Sequence, residues 1–309
     1  MKIYRGEQLV VRKKVGRRTH KSPSLEQAAG YYIGRFQAMA CPCELLMAVE
    51  KRSFAKSLLT LAANEAWRIE KKFSRYVDDN MIYRINNSNG KTIKVDDEIV
   101  QLLNFAQQCY ELSNGLFDIT SGVLRYAWTF DGSDRVPEPA QIEALLPYVG
   151  WDKVTWQPPY FTLPKGMEID FGGIGKEYAV DRTLLLLQEK CQAGMVVNFG
   201  GDIHASGDRT WSIGIENPTS LDSATKILKI HKGALATSGD ARRFLMKEGK
   251  RYGHVLNPKT GWPISNAPHS VTVAAGTCTE AGILATFALL HGEKAEEFLT
   301  NQDVQYWIE

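Results

Sequence analysis

Apolar residues recur at three- and four-residue steps over residues 53–73, where Leu58, Ala62, Ala66, Ile69 and Phe73 share one face. That spacing predicts an amphipathic helix. A second helix is predicted from Asp96 or Asp97, acting as N-cap, to Ser113, with Asn114-Gly115 as its stop signal. Shorter patterns surround these two. Residues 36–49 read as a loop entering a strand, residues 131–139 as a surface excursion rich in Gly, Pro and charge, and residues 154–163 as a hairpin broken by Pro158-Pro159. The second half alternates faster. Strands are expected at 168–171, 195–199, 211–215, 225–230 and 270–274, and helices at 177–190 and 279–291. Strands and helices mix without a regular βαβ repeat, so the fold class expected is α+β.

Glycines are bunched within this pattern. Asp170-Phe171-Gly172-Gly173-Ile174-Gly175-Lys176 sets three glycines and a lysine between a strand and a helix. Such a turn lets backbone N–H groups approach phosphate oxygens at a helix N-terminus, although a plain tight turn has the same composition. It is not a P-loop, because Glu177 stands where Ser or Thr is needed, and Tyr178 falls where a dinucleotide fingerprint needs its third glycine. Asn198-Phe199-Gly200-Gly201-Asp202, Ala236-Thr237-Ser238-Gly239-Asp240 and His254-Val255-Leu256-Asn257-Pro258 are further small or polar clusters. Taken singly, each is as well explained by close packing.

Composition narrows the class. Of 309 residues 44% are hydrophobic and 23% charged, and the formal net charge is +2, too balanced to predict a nucleic-acid groove. Basic residues gather at Arg12, Lys13, Lys14, Arg17, Arg18 and Lys21, so residues 1–30 are expected to form a flexible basic arm ahead of one domain over 31–309. Leu9-Val10-Val11 is too short for a secretory signal, and no apolar run reaches the roughly 20 residues of a membrane helix. A cytoplasmic protein without membrane insertion is expected. The five cysteines include one close pair, Cys41-Pro42-Cys43, in which the proline argues against a regular central strand; buried, reduced thiols are expected.

In their order and spacing these segments resemble the ApbE family of FAD:protein FMN transferases. The resemblance runs from Phe36 to Gly292 through Ala38-Met39-Ala40-Cys41, Phe73-Ser74-Arg75-Tyr76, Gly115-Leu116-Phe117-Asp118, IDFGGIGKEYAVD, NFGGD, ATSGD, HVLNPKTGWP and the helix carrying Thr286. It implies an ApbE-like, T-fold-like fold of two lobes with FAD in the cleft between them. It implies that Met39, Tyr76, Leu116, Phe117 and Asp118 line the flavin and adenine pockets, that Asp170 and Lys176 contact the nucleotide, and that Leu256 packs beside it. A magnesium ion is implied at the position matching Gly173 and on the late helix at Gly282 and Thr286. The implied reaction moves FMN from FAD to a Thr or Ser hydroxyl of an acceptor flavoprotein and releases AMP, with His254 as the candidate base.

Several positions depart from the family pattern, among them Asn257 for the usual Asp before Pro258 and Ala285 where some relatives carry an Asp just before the Thr. The family usually has an Asp four residues before the Thr, and here that position is Gly282; Glu177 replaces the usual Gly after Lys176. Glu280 is a nearby carboxylate on the late helix, but it lies roughly 200° around from Gly282. Two other chemistries therefore stay open beside transfer: a carrier or sensor that binds FAD unchanged, and a pyrophosphatase in which water replaces the acceptor hydroxyl.

Overall fold

The computed structural model describes residues 21–309 apart from residue 219. The basic arm lies largely outside the described residues, but its expected boundary is too late: Ser24–Ala28 already forms a strand, β1, paired antiparallel with β2 (Tyr31–Ala38). β2 turns into β3 (Cys41–Met47), so residues 36–49 begin inside a strand rather than in a loop. Pro42 is tolerated in β3 because pairing with the next strand starts only at Cys43↔Phe199, one residue further on. Its carbonyl still accepts from the Gly200 N–H at 2.9 Å. Pro42 lies in the β2–β3 ladder opposite Gln37 and at the very end of the β3–β7 pairing, where a missing N–H costs least.

α1 (Arg52–Phe73) buries all five residues of the stripe read from the sequence. α2 (Met81–Asn86), β4 (Ile93–Lys94) and α3 (Asp97–Leu112) follow, with Asp96 capping α3 through its carboxylate and Asn114 and Gly115 taking left-handed φ just after the helix. α4 (Pro139–Glu143) and the hairpin β5 (Thr155–Gln157) and β6 (Tyr160–Thr162) complete the first half. No strand forms over 168–171. An amide side chain takes the neighbouring strand's place: Asn86 Oδ1 accepts from the Ile169 N–H at 2.8 Å and Asn86 Nδ2 donates to the Ile169 carbonyl at 3.0 Å.

The second half contains α5 (Gly175–Gln188), β7 (Met195–Phe199), β8 (Asp202–Ser206), β9 (Trp211–Asn217), β10 (Ser220–Ile230), β11 (Gly233–Gly239), β12 (Phe244–Lys247), β13 (Lys250–Gly253), β14 (Ser270–Ala275), α6 (Cys278–Leu290), α7 (Ala295–Thr300) and β15 (Gln305–Ile308). Eight strands make one antiparallel sheet in the order β1-β2-β3-β7-β8-β11-β14-β15. Its two faces divide by the two-residue period of a strand. Leu45, Met47, Met195, Val197, Ala234, Ala236, Val271 and Val273 join the core shared with α1, α5 and α6. Val196, Ile203, Ala205 and Leu235 face the other way, into a smaller cluster with Trp211 of the β9–β10 ribbon. A separate core gathers Val123, Leu124, Trp128, Ile142, Leu145 and Leu245, giving a second, lesser centre of packing.

Candidate active site

The sheet orders the candidate segments at one end. β2 ends and β3 begins around Met39 and Ala40; β7 ends and β8 begins at Gly200-Gly201; β11 ends at Gly239. Met39 and Ala40 both adopt left-handed φ, 51° and 59°. A two-residue hairpin turn demands positive φ at both places, and for side-chain-bearing residues that costs roughly 1–2 kcal/mol each. Such strain persists where the surroundings enforce it, often beside a site.

The glycine turn delivers α5. Ile174 and Gly175 both donate backbone N–H bonds to the Phe171 carbonyl, at 3.0 and 2.7 Å. The helix then starts with no side-chain cap, which leaves the N–H groups after Gly175 in its first turn for another acceptor. A Cβ at Gly173 would sit 3.0 Å from the buried ring of Phe117, so glycine lets the turn lie against that ring. Asp170 braces the turn, accepting from the Gly172 N–H at 3.1 Å and pairing with Arg75 at 3.0 Å. The Arg75 guanidinium lies 5.1 Å from the Tyr76 ring centroid, and that ring is 64% exposed. Tyr76 thus offers an open aromatic face for stacking.

Charge is concentrated at the start of α5. Lys176 Nζ pairs with Asp202 Oδ2 at 2.5 Å, and the Asp202 side chain is only 2% exposed. Burial works against the ammonium, but Asp202 and Glu177 outweigh it, so the Lys176 pKa lies above the ordinary lysine value. Glu177 sits beside this pair. Burial, reinforced by Asp202, pushes its carboxyl up to about 8, and its Oε2 is buried without a hydrogen-bond partner among the described residues.

α6 is fastened to α5 by Asp181. One carboxylate oxygen accepts from the Cys278 N–H at 2.8 Å, and the other accepts from the Thr279 N–H at 2.8 Å and the Thr279 hydroxyl at 2.6 Å. His204 Nδ1 approaches the same carboxylate at 2.7 Å. This places Gly282 against Glu177: a Cβ at Gly282 would lie 2.6 Å from Glu177 Cγ and 3.2 Å from its Oε1. Thr286, one turn later, donates its hydroxyl to Ser238 Oγ of β11 at 3.3 Å. The glycine turn and the late helix therefore face each other.

Other expected residues land differently. Asp118 points into the fold: Oδ1 accepts from the Thr120 N–H and hydroxyl at 2.8 and 2.7 Å, and Oδ2 from the Trp151 N–H at 2.9 Å. Burial raises its pKa. It shapes the loop that carries Leu116 and Phe117, with both oxygens already engaged. Leu256 packs against the second core. His254 has an Nδ1 that is buried without a partner among the described residues, and burial together with Arg243 lowers its pKa to about 4. Glu280 turns back on its own helix start, accepting from the Gly276 N–H at 3.2 Å. Nearby, Asp240 pairs with Arg251 at 3.1 Å and His269 at 3.0 Å, lining a cavity of about 250 Å³ that is smaller than most small-molecule sites. Among the described residues no group of three or more His, Cys, Asp or Glu side chains is arranged to hold a metal. All five cysteines are free.

Asp181, Asp202, Glu177 and Ser238 lay inside the sequence motifs without an expected role. Only the pairing of strands and helices brings them to the site.

An antiparallel sheet backed by helices, with an uncapped helix start beside a buried Lys–Asp pair, defines a protein suited to a phosphorylated, anionic ligand. The chain belongs to the ApbE family, whose pattern matches residues 39–308. It is 29% identical over 258 residues to the FAD:protein FMN transferase of Haemophilus influenzae, covering 78% of this chain and 74% of that protein. It is 30% identical over 252 residues to the FAD:protein FMN transferase of Salmonella typhimurium, covering 76% and 71%. The ApbE protein of Thermotoga maritima superposes with a TM-score of 0.81 at 30% identity, over 90% of this chain and 94% of that one. The flavin transferase ApbE of Vibrio cholerae does so at 0.78 and 25%, over 92% and 94%. The α+β expectation agrees with these neighbours.

Proposed function

We propose that this protein transfers FMN from FAD to a Thr or Ser hydroxyl of an acceptor flavoprotein and releases AMP. The observation that carries the reading is the uncapped start of α5, with Lys176 beside it, directly opposite α6. A diphosphate between two nucleotides repels nucleophiles, and it becomes attackable when fixed donors and positive charge offset its own. The N–H groups that follow Gly175 in the first turn of α5 supply those donors and Lys176 the charge. Tyr76, Met39, Leu116 and Phe117 supply apolar and aromatic surface for the flavin and adenine rings, and Asp170 holds the turn in shape through Gly172 and Arg75.

In the reaction the acceptor oxygen forms a bond to the phosphorus on the FMN side. The bond from that phosphorus to the bridging oxygen breaks, and AMP leaves with the bridging oxygen and its electron pair. The hydroxyl proton passes to His254, which is neutral at neutral pH although its lowered pKa makes it a weaker base than an exposed histidine. Magnesium fits this donor set: Thr286 and the carbonyl of Gly173 would hold it beside Gly282, and the unpartnered Glu177 Oε2 in that place is an oxygen of the type a hard cation takes. When bound it neutralises diphosphate charge. The five free thiols suit a reducing compartment, and we assign the reaction to the cytoplasm. Among the described residues no helix is long and apolar enough to cross a membrane.

The test is to incubate the protein with FAD, magnesium and synthetic peptides each bearing one central Thr, then weigh the peptides. A gain of one FMN less water is expected. FMN and AMP appearing with no peptide labelled would make the protein a pyrophosphatase, and unchanged FAD on the protein would make it a carrier.

A further inference from the structure

Glu177 and Gly282 are two of the places where this chain leaves the family pattern, and they lie against each other. Glu177 stands in the first turn of α5; Gly282 lies on the face of α6 turned toward it, fixed there by the Asp181 bonds to Cys278 and Thr279. The space a side chain at 282 would fill is already taken by the Glu177 side chain, 2.6 Å from an ideal Cβ at its Cγ and 3.2 Å at its Oε1. A side chain at 282 would force the Glu177 side chain out of its present position. The other carboxylate oxygen, Oε2, is sealed from solvent and meets no donor among the described residues. An oxygen acceptor buried without a partner is destabilising, the more so when charged, so its place in the fold calls for a cation or a proton.

We propose that Glu177 reaches from α5 into the space left open at Gly282 and supplies the carboxylate ligand for magnesium that α6 itself lacks. The carboxylate stands on α5, against the face of α6 at Gly282. The inference rests on the transfer reading for the identity of the ion, since a hard divalent cation prefers oxygen donors and commonly takes one or two carboxylates with phosphates. Lys176 pairs directly with Asp202 at 2.5 Å and acts on Glu177 only through its charge, leaving the Glu177 Oε2 without a hydrogen-bond donor among the described residues. Glu280 does not substitute for it, because its carboxylate is turned to Gly276.

The experiment measures Mn²⁺ binding by electron paramagnetic resonance in the full-length protein saturated with FAD. FAD affinity without metal is followed separately by flavin fluorescence. The isosteric E177Q is expected to bind Mn²⁺ at least tenfold more weakly while binding FAD as the parent does. G282D alone, with its side chain driven into Glu177, is expected to gain nothing. E177A/G282D, which returns the carboxylate to α6, is expected to recover Mn²⁺ affinity to within a few-fold of the parent, and E177A alone is not. Wild-type Mn²⁺ affinity in E177Q, or a double variant no better than E177A, overturns the assignment. Those results leave FMN transfer by the parent standing, whereas a parent that binds FAD and Mn²⁺ but labels no peptide overturns transfer and leaves the ligand assignment intact.

Discussion

His254 is the proposed proton acceptor, and its surroundings set its protonation state. Its imidazole is driven toward the neutral form by burial and by Arg243. As the proton acceptor it should be replaceable only at a large cost in rate: H254A is expected to lower the transfer rate by roughly 10²–10⁴-fold with FAD affinity within a few-fold of the parent, checked by single-turnover transfer and by flavin fluorescence titration. The same shift has a consequence for stability. The unfolded chain holds this histidine near 6.5 and the folded chain at about 4, so the unfolded state takes the proton first as pH falls. Its contribution is complete above about pH 6.5 and is lost between there and about pH 4. Denaturant unfolding of H254Q should therefore lack roughly 1–3 kcal/mol of the parent's decline across that window. Identical pH profiles would contradict the buried, neutral imidazole. What the sequence could not disclose at this scale was contact between side chains far apart in the chain. Glu177 and Gly282 each read as a separate departure, because nothing in the order of residues reveals that the Glu177 side chain lies against Gly282.

Helices were the most legible elements. α1 and α3 carry their own evidence, a buried stripe in one and an aspartate cap followed by Asn114-Gly115 in the other. A strand-like run of residues forms no strand where another group supplies the pairing. Residues 168–171 have such a composition, but their backbone partners are the Asn86 amide and the Ile119 carbonyl, the latter accepting from the Asp170 N–H at 2.9 Å. Pro42 misled in the opposite direction, since a missing N–H costs little at the end of the β3–β7 pairing. Between elements, Asp181 is the main fastener of α5 to α6. D181A would leave the Cys278 and Thr279 N–H groups without their acceptor and is expected to cost about 1–3 kcal/mol, with FAD affinity falling as α6 loosens. Chemical denaturation and flavin titration check both halves. A variant as stable as the parent would mean the α5–α6 contact is held by apolar packing alone.

At the scale of the molecule, the antiparallel sheet gathers motifs from residues 39, 173, 202, 238 and 286 at one end, and the order of those motifs was what the sequence disclosed best. Their chemistry was legible as a set and not singly, since each glycine cluster serves packing as readily as phosphate binding. The boundary of the basic arm was misplaced because β1 is short and half exposed, with too few apolar positions to mark it. The account as a whole depends on where the FMN phosphorus goes, and product stoichiometry measures that directly. FAD, magnesium and a Thr peptide that accepts flavin would be incubated with the protein, and AMP, free FMN and flavinylated peptide quantified by liquid chromatography in one reaction. One AMP per flavinylated peptide is predicted, with no product from FAD when the Thr is replaced by Ala. AMP matched by free FMN, unaffected by that replacement, would contradict transfer to a protein hydroxyl.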